Sequence, residues 1–249
     1  MHEYAVQPLV ARAFRLSLRN VEGLMTALLL PVIMMLMFVY LFGGAISTGT
    51  RYVDYVVPGV LLVGIGWGSG TTAITVANDL ASGIIDRFRS MDVRGEALIS
   101  GHVVASVARN LLSAALVLVV AFAIGFRPHA DVAHWLLAAG VLALFVLALS
   151  WFAAAVGIVA RTPEMARGIS FLVTFLPYVS SAFVPVHTMP SALRAVARNQ
   201  PVTSVVDTIR AALNGGHVGG DAWHAAAWSV GIIAFSIALS EVLFRRRAR

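Results

Sequence analysis

The chain contains neither cysteine nor lysine among its 249 residues. Without cysteine, a disulfide, a thiolate metal site and a cysteine nucleophile are all excluded. All 18 cationic residues are arginine. The Walker A loop, which ends in Gly-Lys-Ser/Thr, is therefore absent. The chain cannot bind ATP through that loop.

Charge is also scarce. Only 12% of the residues are charged and 59% are hydrophobic, whereas a soluble domain carries about a quarter charged residues. A mean hydropathy of +0.85 indicates an all-α polytopic membrane protein. The length suffices for six spans of roughly 20 residues in a single transmembrane domain. The apolar runs place these spans at 24–46, 56–77, 102–126, 132–160, 168–184 and 223–244.

The second predicted span is rich in glycine. Its glycines include two pairs at small-xxx-small spacing, which lets helices approach closely. We therefore predict close helix contacts, with a dimer seam as one option, at Gly64, Gly66, Gly68 and Gly70.

A charged segment, 79–101, interrupts the apolar runs. Ile84, Phe88 and Met91 recur at the spacing of one helix face, and Ile85 widens that face. Arg87 and Arg89 lie mostly off it. The pattern predicts an amphipathic helix at a membrane face, suited to contact with a soluble partner.

The arginines predict the topology. Residues 1–23 are basic and amphipathic, which indicates a helix lying along the membrane surface. With this end in the cytoplasm, the inside segments hold 12 arginines and the outside segments 5. The positive-inside bias then places both termini and 79–101 in the cytoplasm, and the connection 185–221 outside. It also accounts for the basic charge, so we reject a nucleic-acid partner.

Few polar residues fall inside the spans. We expect the acidic residues at span ends or in loops, which argues against proton-coupled transport. Arg109 and Asn110 lie within the third span, where they either line a pathway or contact lipid, or Arg109 snorkels to the headgroups. The histidines lack metal-ligand spacing and the serines lack a base, so we predict no metal site and no catalytic residue.

The chain resembles the permease subunits of type-2 ABC exporters, in particular the daunorubicin-resistance-like family. Asp79, Gly83, Asp86 and Gly101 match the family's acid and glycine pattern, although Asp92 stands where proline is usual. The stretches 181–190, 200–203 and 207–210 are similar to the family's extracellular region after the fifth span.

This resemblance implies a permease that pairs with a second permease copy, identical or different, and with two ATPase subunits that bind ATP and Mg. The permease itself would hold no cofactor. Segment 79–101 would be the coupling helix, and a hydrophobic or amphipathic drug, lipid or glycolipid would leave through a bacterial plasma membrane. The residues expected to contact the ATPase are Asp79, Gly83, Ile84, Ile85, Asp86, Arg87, Phe88 and Arg89. A membrane scaffold or assembly factor and an ion-coupled secondary transporter are the alternatives.

Overall fold

The chain is helical, with no strand, over the residues that the structure describes. The structure, a computed structural model, describes residues 21–46, 48–83, 95–160 and 162–247. The α-helices are α1 (Val21–Met37), α2 (Tyr52–Ala81), α3 (Gly95–Ala123), α4 (Val132–Val159), α5 (Pro163–Thr174), α6 (Ser191–Arg198), α7 (Pro201–Leu213) and α8 (Asp221–Arg247). A π-helical turn, Phe38–Phe42, extends α1, and short 3-10 turns occupy Leu176–Val179 and Val186–Thr188.

Four of these helices are long and apolar enough to cross a membrane: α2, α3, α4 and α8. The first predicted span corresponds to a shorter apolar stretch, Ala27–Phe42. The region predicted as the fifth span, 168–184, is not one helix, because α5 ends at Thr174 and a 3-10 turn follows. The count of six spans therefore remains a prediction. The predicted connection 185–221 contains α6 and α7.

Helix α2 is the centre of the packing and contacts α1, α3, α4, α5 and α7. Of its most apolar stretch, 72% is buried, against 17% for α8. Its 30 residues extend about 45 Å at 1.5 Å per residue. That exceeds the roughly 30 Å thickness of a bilayer's hydrocarbon core. If α2 crosses the bilayer close to its normal, it therefore extends beyond the hydrocarbon on at least one side.

Side-chain caps and left-handed residues set several helix ends. The Asp131 carboxylate accepts a 2.8 Å hydrogen bond from the backbone N–H of His134 and begins α4. That bond holds the pKa of Asp131 below its ordinary value. Thr162 caps α5 in the same way, with Pro163 in the first turn. Gly83 has a φ of +68° just beyond α2, a conformation that glycine adopts without steric cost and that commonly ends helices.

The stretch 180–183 lies along the half of α2 that begins at Tyr52. The Tyr52 and Tyr55 hydroxyls donate to the carbonyl oxygens of Phe183 and Ser181, at 3.2 and 2.9 Å. Between these bonds and the middle of α2, a Cβ on Gly59 would lie 2.6 Å from the carbonyl oxygen of Ala182. The two backbones approach this closely because Gly59 has no side chain.

Replacing Gly59 with alanine is expected to lower stability by about 1–3 kcal/mol, because the clashing atoms are the O, Cα and Cβ of Ala182, which no side-chain rotation can move away. The matched control is Gly66→Ala, where the nearest atom to the added Cβ, Thr174 Cα, is 3.6 Å away. The unfolding midpoint of the purified protein in detergent measures both. Equal midpoints for the two variants would contradict the close approach at Gly59.

Candidate coupling junction and interhelical polar clusters

The structure describes the two ends of the predicted coupling segment, residues 79–83 and 95–101. These ends lie close together. Asp79 lies in the last turn of α2 and His102 near the start of α3. Their side chains are buried, and Nε2 of His102 is 3.1 Å from Oδ2 of Asp79. We call this pair the coupling junction. It joins the last turn of α2 to the start of α3, at the two ends of the predicted coupling segment.

The remaining coupling residues are only partly described. Gly83 follows α2 directly in the left-handed conformation given above. Residues 84–89, which hold Ile84, Ile85, Asp86, Arg87, Phe88 and Arg89, lie outside the described residues. The interfacial helix predicted for 1–23 lies almost entirely outside them as well.

Arg109 and Asn110 form a polar cluster between α2, α3 and α4. One guanidinium nitrogen of Arg109 donates to the Gly68 carbonyl oxygen at 3.0 Å and to the Thr72 hydroxyl at 2.8 Å. Asn110 Nδ2 donates to the Ser69 hydroxyl at 3.1 Å. These bonds join α3 to α2. The sequence-based alternatives for Arg109 were a transport pathway, a lipid contact or snorkelling to the headgroups, and none of them included this contact with α2.

Serine hydroxyls bond α3 to two further helices, α4 and α1. The Ser150 hydroxyl on α4 donates to that of Ser106 on α3 at 3.0 Å. The Ser113 hydroxyl donates to the Ala27 carbonyl oxygen on α1 at 2.8 Å. Interhelical hydrogen bonds in membranes contribute about 0.6 kcal/mol each on average. Several in one place are therefore needed to fix the arrangement of four helices.

The predicted packing glycines face two sides of α2. A Cβ on Gly64 would lie 2.9 Å from Pro31 Cγ of α1, and one on Gly68 would overlap Asn110 Oδ1 of α3. Gly66 and Gly70 face α5, where added Cβ atoms would lie 3.6 Å from Thr174 Cα and 3.3 Å from Ser170 Cβ. These contacts lie within one chain, and the dimer seam stays a prediction.

A second polar group, the Arg210 network, joins α7 to α2 and to the stretch 180–183. The Arg210 guanidinium donates to the carbonyl oxygens of Tyr55 at 3.1 Å and Ser181 at 2.7 Å. It also contacts the Asp207 carboxylate at 2.6 Å and stacks 3.8 Å from the Tyr55 ring centre. The Ser181 hydroxyl donates to Asp207 at 2.7 Å. The sequence marked Ser181, Asp207 and Arg210 only as parts of a family pattern.

The buried acids are paired with basic side chains. Among the described residues, the carboxylates classed as buried are Asp54 and Asp79. Asp54 lies 2.9 Å from Arg51, and Asp79 contacts His102. The two acids are separated along α2 by about 37 Å at 1.5 Å per residue, which is more than the roughly 30 Å thickness of a hydrocarbon core. Within the described ranges, no group of His, Cys, Asp and Glu side chains could hold a metal ion.

Comparison with known proteins identifies the class to which this helical arrangement belongs. The sequence profile described as "ABC-2 type transporter" matches residues 4–214. The chain therefore belongs to the ABC-2 type transporter family, as the resemblance predicted, and is a membrane-integral permease. Family membership implies ABC ATPase subunits as partners.

A particular relative is similar over most of the chain. It is the "Daunorubicin resistance ABC transporter permease protein DrrB1" of Streptomyces coeruleorubidus. The two sequences are 30% identical over 226 residues, which cover 90% of this chain and 80% of the relative. The predicted likeness to daunorubicin-resistance permeases is thereby confirmed.

Replacing Arg210 with lysine is expected to lower stability by about 1.5–3 kcal/mol, because a lysine ammonium keeps the charge but cannot reproduce the fork of bonds or the stacking. The control is Arg198→Lys, since Arg198 is exposed at the end of α6. Unfolding midpoints in detergent compare the two. A midpoint for Arg210→Lys as high as that of the control would show that charge alone accounts for the role of Arg210.

Proposed function

We propose that the chain is the permease subunit of an exporter that moves a hydrophobic or amphipathic compound, such as a drug, lipid or glycolipid, out of the cytoplasm or inner leaflet. ATP, with Mg, would be hydrolysed by separate ATPase subunits, since the sequence lacks a Walker A loop. A second permease copy would complete the path. The observation that carries the proposal is the family match together with the drug-resistance relative.

The coupling junction supports the mechanism. In this proposal the ATPase contacts segment 79–101 in the cytoplasm of a bacterial cell, with both termini on the same side. Closure of the ATPase subunits would press on that segment. Because Asp79 and His102 join its ends at 3.1 Å, the displacement would reach α2 and α3 together. The hydrogen bonds that Arg109 and Asn110 on α3 donate to α2 would keep these two helices together deeper in the membrane.

The acids argue against the ion-coupled alternative. A proton-driven transporter generally requires an ionisable group within the membrane whose charge changes during the cycle. The buried carboxylates of the described residues instead lie near the two ends of α2 and are paired with Arg51 and His102. This arrangement suits helix packing better than proton transfer.

Transport is expected to depend directly on ATP. Inside-out vesicles that contain the permease and its ATPase should accumulate daunorubicin when ATP is supplied, and should continue to do so after a protonophore is added with ATP held constant. A non-hydrolysable ATP analogue is the control. Uptake abolished by the protonophore would indicate a secondary transporter. The absence of uptake for a panel of amphipaths would favour the scaffold.

Phe88→Asp is expected to abolish co-purification of the ATPase and stimulation of its hydrolysis, because a carboxylate would replace the largest apolar side chain of the predicted docking face. Ser90→Asp adds the same charge off that face and should leave both unchanged. Co-purification from membranes and hydrolysis rates provide the measurements. Retained association and stimulation in Phe88→Asp would refute docking through this face while leaving the transport assay as an independent test.

A further inference from the structure

A cavity of about 300 Å³ lies between α2, α4, α8 and the ends of α5 and α7. It is partly open at the surface of the chain. Among the residues that the structure describes, its walls come from aliphatic, phenylalanine, proline and glycine side chains. Of the residues to which the sequence analysis gave a role, Gly66 lines this cavity. Its predicted role, close helix packing, does not explain the cavity.

Two interrupted helices create the cavity. Helix α5 stops at Thr174, with Pro177 in the 3-10 turn that follows, and α7 starts at Pro201. Pro177 and Pro201 both line the cavity. An unbroken helix through 168–184 would leave no such pair of helix ends beside α2 and α4.

Two backbone carbonyl groups of the 3-10 turn after α5 are bonded to a side chain. The Gln200 amide donates to the carbonyl oxygens of Leu176 and Val179, at 3.2 and 2.6 Å. Gln200 is itself buried. Two carbonyl groups of the 3-10 turn beside the cavity are therefore bonded, and the described lining of the cavity stays apolar.

The cavity lies at hydrocarbon depth. Gly66 is near the middle of α2, Phe145 and Leu149 are near the middle of α4, and Ile232 is near the middle of α8. These helices are among those long and apolar enough to span a membrane. Helix α8 is the least buried of the four, since only 17% of its most apolar stretch is buried. The cavity wall that Ile232 forms therefore belongs to the most exposed of these helices.

The size and lining define the ligand. Apolar cavities stay dry, and one of about 150 Å³ accepts benzene. This cavity has about twice that volume. Pockets for drug-sized molecules carry a few polar groups that orient the ligand, and the described lining residues have no polar side chain. An alkyl chain needs no such group and gains dispersion contacts with the walls.

A second, much smaller cavity adjoins the first. This cavity of about 10 Å³ shares Gly66, Leu149, Phe152 and Val173 and adds Ser69 and Ser170. That volume accepts about one water molecule. Because Ser69 also bonds Asn110, this smaller cavity lies beside the Arg109 cluster and is too small to hold more of an alkyl chain.

We propose that the cavity binds one alkyl chain, supplied either by the acyl tail of a membrane lipid or by the tail of a transported amphipath. The inference does not depend on which compound is exported. It assigns a binding role to the break between α5 and α7.

The test is photolabelling of the purified permease–ATPase complex in vesicles that contain phosphatidylglycerol with a diazirine in the acyl chain. Peptide mapping should place label on lining residues of α4 and α5. Val173→Phe fills the cavity from α5 and should reduce that label about tenfold, equivalent to about 1.4 kcal/mol in affinity. The matched control, Val230→Phe, makes the same change at an exposed position of α8 and should not reduce it.

Ile232→Phe repeats the test from the opposite wall, so that misfolding of one variant does not decide the result. A second arm replaces the labelled lipid with a diazirine-bearing alkyltrimethylammonium in unlabelled vesicles, with and without ATP. Labelling by the lipid alone identifies a lipid site, and ATP-dependent labelling by the cation identifies a transported tail. Equal labelling of the cavity variants and the control, or no label on the lining, would overturn the proposal.

Discussion

Hydrocarbon offers no hydrogen-bond partners, and this constraint governs the structure. Each backbone group inside a bilayer must be satisfied by the protein itself, and the described residues are accordingly helical. Apolar side chains gain little by leaving lipid for one another, so helix association depends on close packing and interhelical hydrogen bonds. Gly64 and Gly68 supply the close packing of α2 against α1 and α3, and Arg109 and Asn110 supply the bonds from α3.

The same constraint explains how the chain tolerates a break in the membrane region. In the 3-10 turn that follows α5, the buried amide of Gln200 donates to the carbonyl oxygens of Leu176 and Val179. On the other side of the break, Arg210 bonds the Tyr55 and Ser181 carbonyl oxygens, which ties α7 to α2. Long polar side chains thus stabilise the region between the end of α5 and α7.

Composition and periodicity were sufficient to predict the helical class and the approximate positions of the long spans, because these depend on local hydrophobicity. The span predicted at 56–77 lies within α2, and that at 223–244 lies within α8. The break after Thr174 was not predicted, because Pro177 alone does not distinguish a kink from an end. The Asp79–His102 pair was also missed, since residues 23 positions apart leave no periodic signal. The Arg210 network had a signal in the family pattern, but only the fold shows that its members touch.

The coupling junction has a mechanical consequence. Without a bond between α2 and α3 at this end, a displacement of one helix would not be passed directly to the other. With Asp79 bonded to His102, and with Arg109 fastened to Gly68 and Thr72 further along, α2 and α3 are joined at two heights. Two helices that are bonded at two positions along their length resist sliding past each other. A load applied to this pair at the end that holds the coupling junction would then tilt α2 and α3 as one unit, and the far end of α2, beside the Arg210 network, would move without any bond between the two helices having to break.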